Sequence, residues 1–228
     1  MKINYQKVCA DLIKDLPQRT ADVIERRFGL KSGEGETLEH IGQSYNITRE
    51  RVRQIENEGF NHILPKIENY KEVFVEFDET IQSFGGVKKE EELLGFLGEG
   101  KLNNCVYFLL TIGKEISRFQ EDENFYTFWA KDENLAKGAK RVVESVAKML
   151  EKHGEPIEMD KIYEIEGKQA TKLLGESKNA FISAIEISKR IKTNPEGLFG
   201  LNNWVEINPK GIKDKAYLVF KKHEKPLH

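Results

Sequence analysis

The sequence predicts a mainly α-helical protein in which a helix-turn-helix is followed by two tandem winged-helix domains with small β-hairpin wings. A three-residue turn around Asn46 separates two helical segments, and each of these segments follows a threonine that can cap it. Similar strings of residues recur farther along the chain at a spacing of about 70 residues. In these repeats an apolar helical segment leads into alternating aromatic residues around Gly or Asn turns, which predicts a β-hairpin.

The first part of the chain predicts short helices separated by turn signals. One helix is expected from Tyr5 to Leu12, and Pro17 suits the first turn of the next, which continues over residues 21–30. Two glycines in KSGEGE, residues 31–36, then interrupt the helical pattern.

Two further helices in this part each begin after a threonine. Thr37 can cap the helix LEHIGQSY, residues 38–45, because its hydroxyl can accept a hydrogen bond from a backbone N–H in the first turn. Thr48 can cap the longer helix RERVRQIENEGFNHIL in the same way, and that helix is expected to end before Pro65.

The rest of the chain contains an internal repeat. KHGEPIE at 152–158 recurs as KHEKPLH at 222–228, with a weaker relative, FGGVKKE, at 84–90. Residues 116–130 likewise resemble residues 191–207, with a tryptophan at corresponding places. We therefore predict four segments: a helix-turn-helix at 1–64, a diverged winged helix at 65–135, a winged helix at 136–222, and the start of a further repeat at 223–228. The last segment predicts that the chain is the N-terminal part of something longer.

The helix after Thr48 is predicted to have a core side and a reading side. At about 100° per residue, one side carries the apolar and small residues Val52, Ile55, Gly59 and Ile63. The opposite side carries Arg49, Glu50, Arg53, Gln54 and Asn57. Arginine can bind guanine with two hydrogen bonds, glutamine or asparagine can pair with adenine, and glutamate can accept from cytosine. A solvated charged surface is the alternative interpretation of the same residues.

The stretch TLEHIGQSYNITRERVRQIE at 37–56, with ADVIERRFGL before it, resembles region 4 of the sigma-70 family of RNA polymerase sigma factors. The resemblance covers residues 16–64 and implies double-stranded promoter DNA, at the −35 element, and the β-subunit flap of the core RNA polymerase as partners. It implies base reading by Arg49, Glu50, Arg53 and Gln54. It also implies positions near phosphates or the groove edge for a second set: Arg27, Thr37, Leu38, Glu39, Thr48 and Arg51.

The sequence departs from that family in two ways. The family usually continues the recognition helix with basic residues, whereas this chain has ENEGFNHIL, so a weaker attraction to phosphate is expected. Nothing before residue 16 or after residue 64 resembles the regions that bind core polymerase most tightly and melt the −10 element. A complete promoter-opening sigma factor is therefore not expected.

Residues 140–222 resemble the HARE-HTH winged helix at the N-terminus of the bacterial RNA polymerase δ subunit. The resemblance rests on a helix ending at His153, the Gly154 and Pro156 that follow, a helix over 179–191, and the turn GLFGLNNW at 197–204. Residues 66–130 look like a diverged copy. Candidate DNA contacts in this part are the cations Lys189, Arg190, Lys192, Lys210 and Lys213, with a solvated surface as the alternative.

Two other groups of side chains are given ordinary roles. The aromatic residues at 125–129, Phe199 and Trp204 are expected to fill small winged-helix cores rather than to stack on bases. The acidic run Glu90, Glu91 and Glu92 argues against DNA contact and favours a protein partner or a spacer.

Composition and motifs limit the possible functions. The formal net charge is −2, so DNA binding requires cations concentrated on one element. No apolar run approaches the roughly 20 residues of a membrane span, and Cys9 and Cys105 suit a reducing compartment, so we expect a cytoplasmic protein without membrane contact. There is no phosphate loop, nucleophile elbow, HExxH motif or metal-ligand spacing. We predict no enzyme activity, cofactor, metal or small-molecule substrate.

Two functions remain open from the sequence. The first is a bacterial transcription protein that reads DNA with its sigma-like helix-turn-helix. The second is a polymerase-interaction module, δ-like or anti-sigma-like, that keeps the sigma shape without reading DNA.

Overall fold

The computed structural model describes residues 3–100 and 102–222, so the repeat predicted at 223–228 lies outside the described residues. The chain forms two compact units. The first contains the described part of Met1–Thr80 together with Glu91–Ile116, and the second contains Ile81–Glu90 with the described part of Ser117–His228.

The first unit is helical. The helices up to residue 64 begin and end close to the predicted positions, because the signals that set them are local caps and turn residues. The helices of the predicted helix-turn-helix region are α1 (Tyr5–Ile13), α2 (Gln18–Phe28), α3 (Leu38–Tyr45) and α4 (Arg49–Ile63), followed by a 3₁₀ helix (Leu64–Tyr70). Farther along lie α5 (Lys71–Ser83), α6 (Glu90–Gly98) and α7 (Asn103–Ile112); of these helices, residues 81–83 and Glu90 are counted with the second unit.

The turn between α3 and α4 is tight and closely packed. Asn46 adopts the left-handed conformation at φ 52°, which ends α3. The Ile47 amide donates to the Gly42 carbonyl at 3.0 Å. A Cβ at Gly42 would lie 2.7 Å from the Ile47 carbonyl oxygen, so only glycine permits this approach. The turn thereby fixes the direction in which α4 leaves α3.

A small apolar core holds the helix-turn-helix together. Val23 of α2, Ile41 of α3, and Val52 and Ile55 of α4 form one buried cluster. Gly59 lets α4 approach α2 closely, because a Cβ there would lie 2.5 Å from the Ile24 Cδ1 atom. The predicted core side of α4 is therefore confirmed.

Helix α7 completes the first unit from a distant part of the sequence. The Phe28 ring lies 5.5 Å from that of Tyr107 and 5.2 Å from that of Phe108, measured between centroids. Cys9 and Cys105 are both buried, and the Cys9 thiol lies 3.8 Å from the Cys105 carbonyl oxygen.

The second unit combines helices with two small antiparallel sheets. The first sheet has the order β1-β3-β2, in which β3 pairs with both of its neighbours. The second is the hairpin of β4 and β5, extended by a bridge from Ile157 to Phe199. The strands are β1 (Val87–Lys89), β2 (Ser117–Phe119), β3 (Phe128–Ala130), β4 (Ile191–Thr193) and β5 (Phe199–Leu201). The helices are α8 (Glu133–His153), α9 (Met159–Leu174), α10 (Lys178–Glu186) and α11 (Ile212–Lys222).

The order of elements along the chain fits the predicted fold class, a mainly helical protein with small antiparallel sheets. The order α5, β1, α6, α7, β2, β3 and the order α8, Ile157 bridge, α9, α10, β4, β5 are both those of a winged helix. The predicted segment 65–135 contributes most of its helical residues to the first unit and its strands to the second. The predicted domain boundaries therefore remain a proposal about the succession of motifs.

Aromatic residues fill the core of the second unit, as the sequence predicts. Phe125, Phe128 and Trp129 are buried, and Phe199 and Trp204 pack against the same core. The Trp129 Nε1 atom donates to the Glu90 carboxylate at 2.9 Å, and Arg118 Nη2 donates to it at 2.7 Å. Glu90 therefore binds side chains of its own unit, whereas the sequence assigned it to a partner or spacer surface.

Within residues 3–100 and 102–222, no helix has both the length and the apolar composition that crossing a bilayer requires.

Candidate nucleic-acid interface

The four predicted base-reading side chains lie together on the exposed side of α4. Arg49, Glu50, Arg53 and Gln54 are all exposed. The opposite side of the same helix is buried, with Val52 and Ile63 fully enclosed. The polar side chains can therefore contact a large ligand without any rearrangement of the core beneath them.

Two of these four side chains bind each other. Arg53 donates from Nε to Glu50 Oε2 at 2.9 Å and from Nη2 to Glu50 Oε1 at 2.7 Å. This hydrogen bonding lowers the pKa of Glu50 below its usual value, so the carboxylate is ionised at neutral pH. Both side chains are more than half exposed, so the pair can exchange its hydrogen bonds for those of a ligand at little cost.

The beginnings of α3 and α4 carry the threonines predicted near phosphates. The Thr37 hydroxyl oxygen accepts from the His40 amide at 3.1 Å, and the Thr48 oxygen accepts from the Arg51 amide at 3.2 Å. Each hydroxyl keeps its own proton for donation to an anion, and both hydroxyls sit where helix N–H groups favour negative charge.

The other residues predicted near phosphates or the groove edge differ in their solvent exposure. Glu39 and Arg51 are exposed, and Arg51 Nη1 donates to Gln54 Oε1 at 3.0 Å. Leu38 is half-buried and packs against the helix-turn-helix core. Only part of the Leu38 side chain is therefore open to a partner.

Arg27, predicted near a phosphate, is partly engaged within the first unit. Its Nη1 atom donates to the Glu36 carbonyl oxygen at 3.0 Å, and its Nε atom lies 3.5 Å from Glu56 Oε1. Burial raises the pKa of Glu56 above its usual value, and the Arg27 charge partly offsets that shift. About a third of the Arg27 side chain is still exposed, which leaves part of the guanidinium for an anion.

A polar cluster that supports α3 was not predicted from the sequence. Arg26 donates to both carboxylate oxygens of Glu36, at 2.8 and 2.7 Å, and to the Ser44 hydroxyl at 2.8 Å. The His40 Nδ1 atom lies 2.6 Å from Glu36 Oε2. Glu36 and His40 are four residues apart, and this spacing could have predicted their contact. Arg26 and Glu36 lie on either side of the loop, and no sequence pattern predicts that they pair.

The predicted cations of the last winged helix are mostly paired. Lys189 Nζ lies 2.5 Å from Glu121 Oε1, and Arg190 Nη2 lies 3.3 Å from Glu151 Oε1. Lys192 donates to the Tyr126 hydroxyl. Lys210 and Lys213 are exposed.

The helix predicted over 179–191 is shorter than expected. Helix α10 ends at Glu186, and β4 already begins at Ile191, so Lys189 and Arg190 lie in the connection between them. Residues 191–193 leave the helical pattern because they pair with β5, and this pairing outweighs the local helical preference. Among the described residues, no three His, Cys, Asp or Glu side chains are gathered closely enough to hold a metal ion.

This geometry shows that the first unit contains a helix-turn-helix. Its second helix, α4, has a polar side that is exposed. Comparison with known proteins then assigns a family to the segment. Residues 12–63 match the family model described as Sigma-70, region 4, and form a domain of that kind.

Sigma factors match the same part of the chain. The RNA polymerase principal sigma factor HrdD of Streptomyces viridifaciens is 50% identical over 46 residues, which are 20% of this chain and 14% of that protein. The RNA polymerase sigma factor SigA of a Nostoc species is 51% identical over 45 residues, which are 20% of this chain and 12% of that protein. The chain thus spans about one seventh or less of the length of these curated relatives.

Proposed function

We propose that this chain is a sequence-specific DNA-binding transcription protein that reads a −35-type promoter element with α4 and acts together with RNA polymerase. One observation carries the proposal: the polar side of α4 in the sigma region 4 domain is exposed along its first two turns. Arg49, Glu50, Arg53 and Gln54 lie there with a rigid, buried helix side behind them.

The chemistry of these residues suits the major groove. An α-helix fits that groove, and side chains near its N-terminus reach the base edges first. Arg49 and Arg53 offer planar forks for guanine, Gln54 can pair with adenine, and Glu50 can accept from cytosine. Thr37 and Thr48 cap the beginnings of α3 and α4, and in this proposal their hydroxyls donate to phosphates of the same duplex.

A separate surface of the first unit is available to the polymerase. An open groove runs along α1 and α2 and is bounded by Tyr45 of α3. Its lining includes the buried Ile13 and Leu16 and the exposed Lys14, Gln18 and Arg19. None of the described groove residues belongs to α4, so the groove and the proposed reading side of α4 share no residue. The β-subunit flap is the partner we propose for this groove. The relatives over this segment are named as RNA polymerase sigma factors.

Selection of bound duplexes from a random pool, with and without core polymerase, tests the proposal. We expect enrichment of one short motif that depends on Arg53 and Gln54. Competition between a promoter-like and a scrambled duplex then measures the preference. Recovery of a pool without any shared motif, in both the presence and the absence of polymerase, would contradict DNA reading.

A second candidate is a polymerase-accessory module that does not read DNA. It is favoured by the ion pairs on α4, which occupy two of its three arginines. Arg51 lies 3.5 Å from Glu58, and Arg53 binds Glu50. Among the described residues, only Arg49 of these three has no ion pair. Co-purification with the β flap, with no DNA binding whose affinity falls steeply with salt, would support this candidate over the first.

A further inference from the structure

The helices α8 and α9 of the second unit carry a set of cations that the proposed reading of DNA by α4 does not use. On each helix the cations are spaced by four or seven residues, which keeps them on one side of the helix. All of them are exposed: Lys137, Arg141, Lys148 and Lys152 on α8, and Lys161, Lys168 and Lys172 on α9.

The contacts between the two helices show that they run in opposite directions. The Ser145 hydroxyl donates to Glu166 Oε2 at 2.6 Å. Seven residues earlier on α8, a Cβ at Gly138 would lie 3.1 Å from the carbonyl oxygen of Leu173, seven residues later on α9. At matched levels along the pair the cations alternate between the helices, in the order Lys137, Lys172, Arg141, Lys168, Lys148, Lys161 and Lys152.

Both rows of cations lie on the same outer surface. The buried residues of α8, such as Val146 and Leu150, lie on the side of that helix opposite its cations. On α9, the buried residues Ile162 and Ala170 likewise lie away from the cations. Because both helices pack their apolar sides on one core, the two rows face outward together and form what we call the α8–α9 basic surface.

Most cations of this surface form no ion pair with the described residues of the protein. Lys137 lies 2.9 Å from Glu133, and the structure shows no ion pair for the other six cations among the described residues. The acids on the same sides of the helices are Glu133, Glu144, Glu151 and Glu164, and of these Glu151 pairs with Arg190 at 3.3 Å. The surface is therefore positive, although the chain as a whole has a formal net charge of −2.

We propose that the α8–α9 basic surface binds the sugar-phosphate backbone of double-stranded DNA without reading bases. From Lys137 to Lys152 the rows extend for about 22 Å, at 1.5 Å per residue. Duplex DNA presents about one phosphate charge per 1.7 Å of axis, so a continuous double row of cations finds partners along its whole length. Six of the seven cations are lysines, which act as point charges toward phosphate rather than as planar forks for bases.

The α8–α9 basic surface would add a second DNA contact to the one proposed for α4. The proposal for this surface does not depend on base reading by α4. The sigma-like helix would supply sequence preference, whereas the second unit would supply affinity common to all sequences. The two contributions can be measured separately, because base contacts change the ratio between duplexes and phosphate contacts change the salt dependence.

The test uses the full chain and a scrambled duplex of about 20 base pairs. The triple variant Arg141→Ala, Lys148→Ala, Lys168→Ala should reduce the slope of log K against log salt by about 2 to 3, at about 0.9 for each phosphate contact. The matched control, Lys7→Ala, Lys71→Ala, Lys114→Ala, removes three exposed cations of the first unit that belong to neither proposed DNA surface, and it should leave the slope unchanged.

Three results would overturn the proposal. The slope could stay the same in the α8–α9 variant, it could fall equally in the control, or poly-L-glutamate could compete as well as DNA, which would indicate an acidic protein partner. Arg53→Ala separates this inference from base reading by α4. A failure of α4 reading leaves the ratio of promoter-like to scrambled affinity at one for the parent chain, whatever the triple variant does to the slope.

Discussion

Glu50 and Arg53 form a two-point ion pair on the exposed side of α4, with both carboxylate oxygens within 2.9 Å of the guanidinium. The two hydrogen bonds hold both side chains in a defined position relative to each other, although they are three residues apart along the helix. If α4 reads bases as we propose, a duplex that enters this surface replaces both hydrogen bonds with bonds to bases. We then expect the pair to favour sequences in which Arg53 meets a guanine and Glu50 meets a cytosine.

Replacing Arg53 by alanine should weaken binding to the preferred duplex by about 1–3 kcal/mol and relax the base preference at one position. Gln54→Ala should have an effect of the same size at a neighbouring position, because in the proposed reading the two side chains contact different base pairs. Competition binding with single-base variants of the selected site measures both effects. Lys7→Ala, which removes an exposed cation of α1, is the matched control and should leave the preference intact.

Replacing Gly42 by alanine should destabilise the helix-turn-helix by about 1–3 kcal/mol, because the new Cβ would meet the backbone of the next turn. The Ile47 carbonyl oxygen would be 2.7 Å away and cannot move without displacing the start of α4. DNA binding should fall together with the urea midpoint.

Gly95→Ala is the control for that substitution, since nothing lies within 4 Å of the added Cβ in α6. It should raise stability by about 0.5–1 kcal/mol through reduced freedom of the unfolded chain. An equal loss of stability in both variants would contradict the role assigned to the turn.

Asn104 of α7 holds the loop that precedes α3. Its Nδ2 atom donates to the Gly29 carbonyl at 3.0 Å and to the Gly33 carbonyl at 2.7 Å. Asn104→Ala should cost about 1–3 kcal/mol, at about 0.5–1.5 for each hydrogen bond, measured by urea denaturation. The exposed Asn69→Ala provides the comparison, and a similar loss there would indicate that the loop contacts are not the cause.

Glu36 should make the stability of the first unit depend on pH. Hydrogen bonding to Arg26 lowers the pKa of Glu36 below 4.5, so its ionised form stabilises the fold. That contribution is complete at neutral pH, where the carboxylate is ionised in both folded and unfolded chains, and it is lost as the pH falls through the folded-state pKa.

Glu36→Gln should therefore lower the urea midpoint at pH 7, and the difference from the parent chain should shrink as the pH falls below 4.5. Glu34→Gln, an exposed neighbour in the same loop, should change the midpoint little at either pH. A Glu36→Gln difference that grows in acid would have the wrong sign for this explanation.

The sequence alone determined the helices of the sigma-like region and the outward side of α4. Thr37, Asn46 and Thr48 act on the few residues next to them, and the apolar spacing of α4 leaves only one side that can be buried. Such signals are local, so they can be recognised without knowing what the rest of the chain does.

Only the tertiary structure decided which charges are used within the protein and which remain available. Lys189 meets Glu121, 68 residues away, and Glu90 meets Trp129, 39 residues away. Lys189 and Arg190 of the last winged helix form pairs of this kind, whereas six of the seven cations of the α8–α9 basic surface have no ion pair among the described residues. Pairing between distant residues depends on how the elements pack, and no local pattern in the chain encodes that packing.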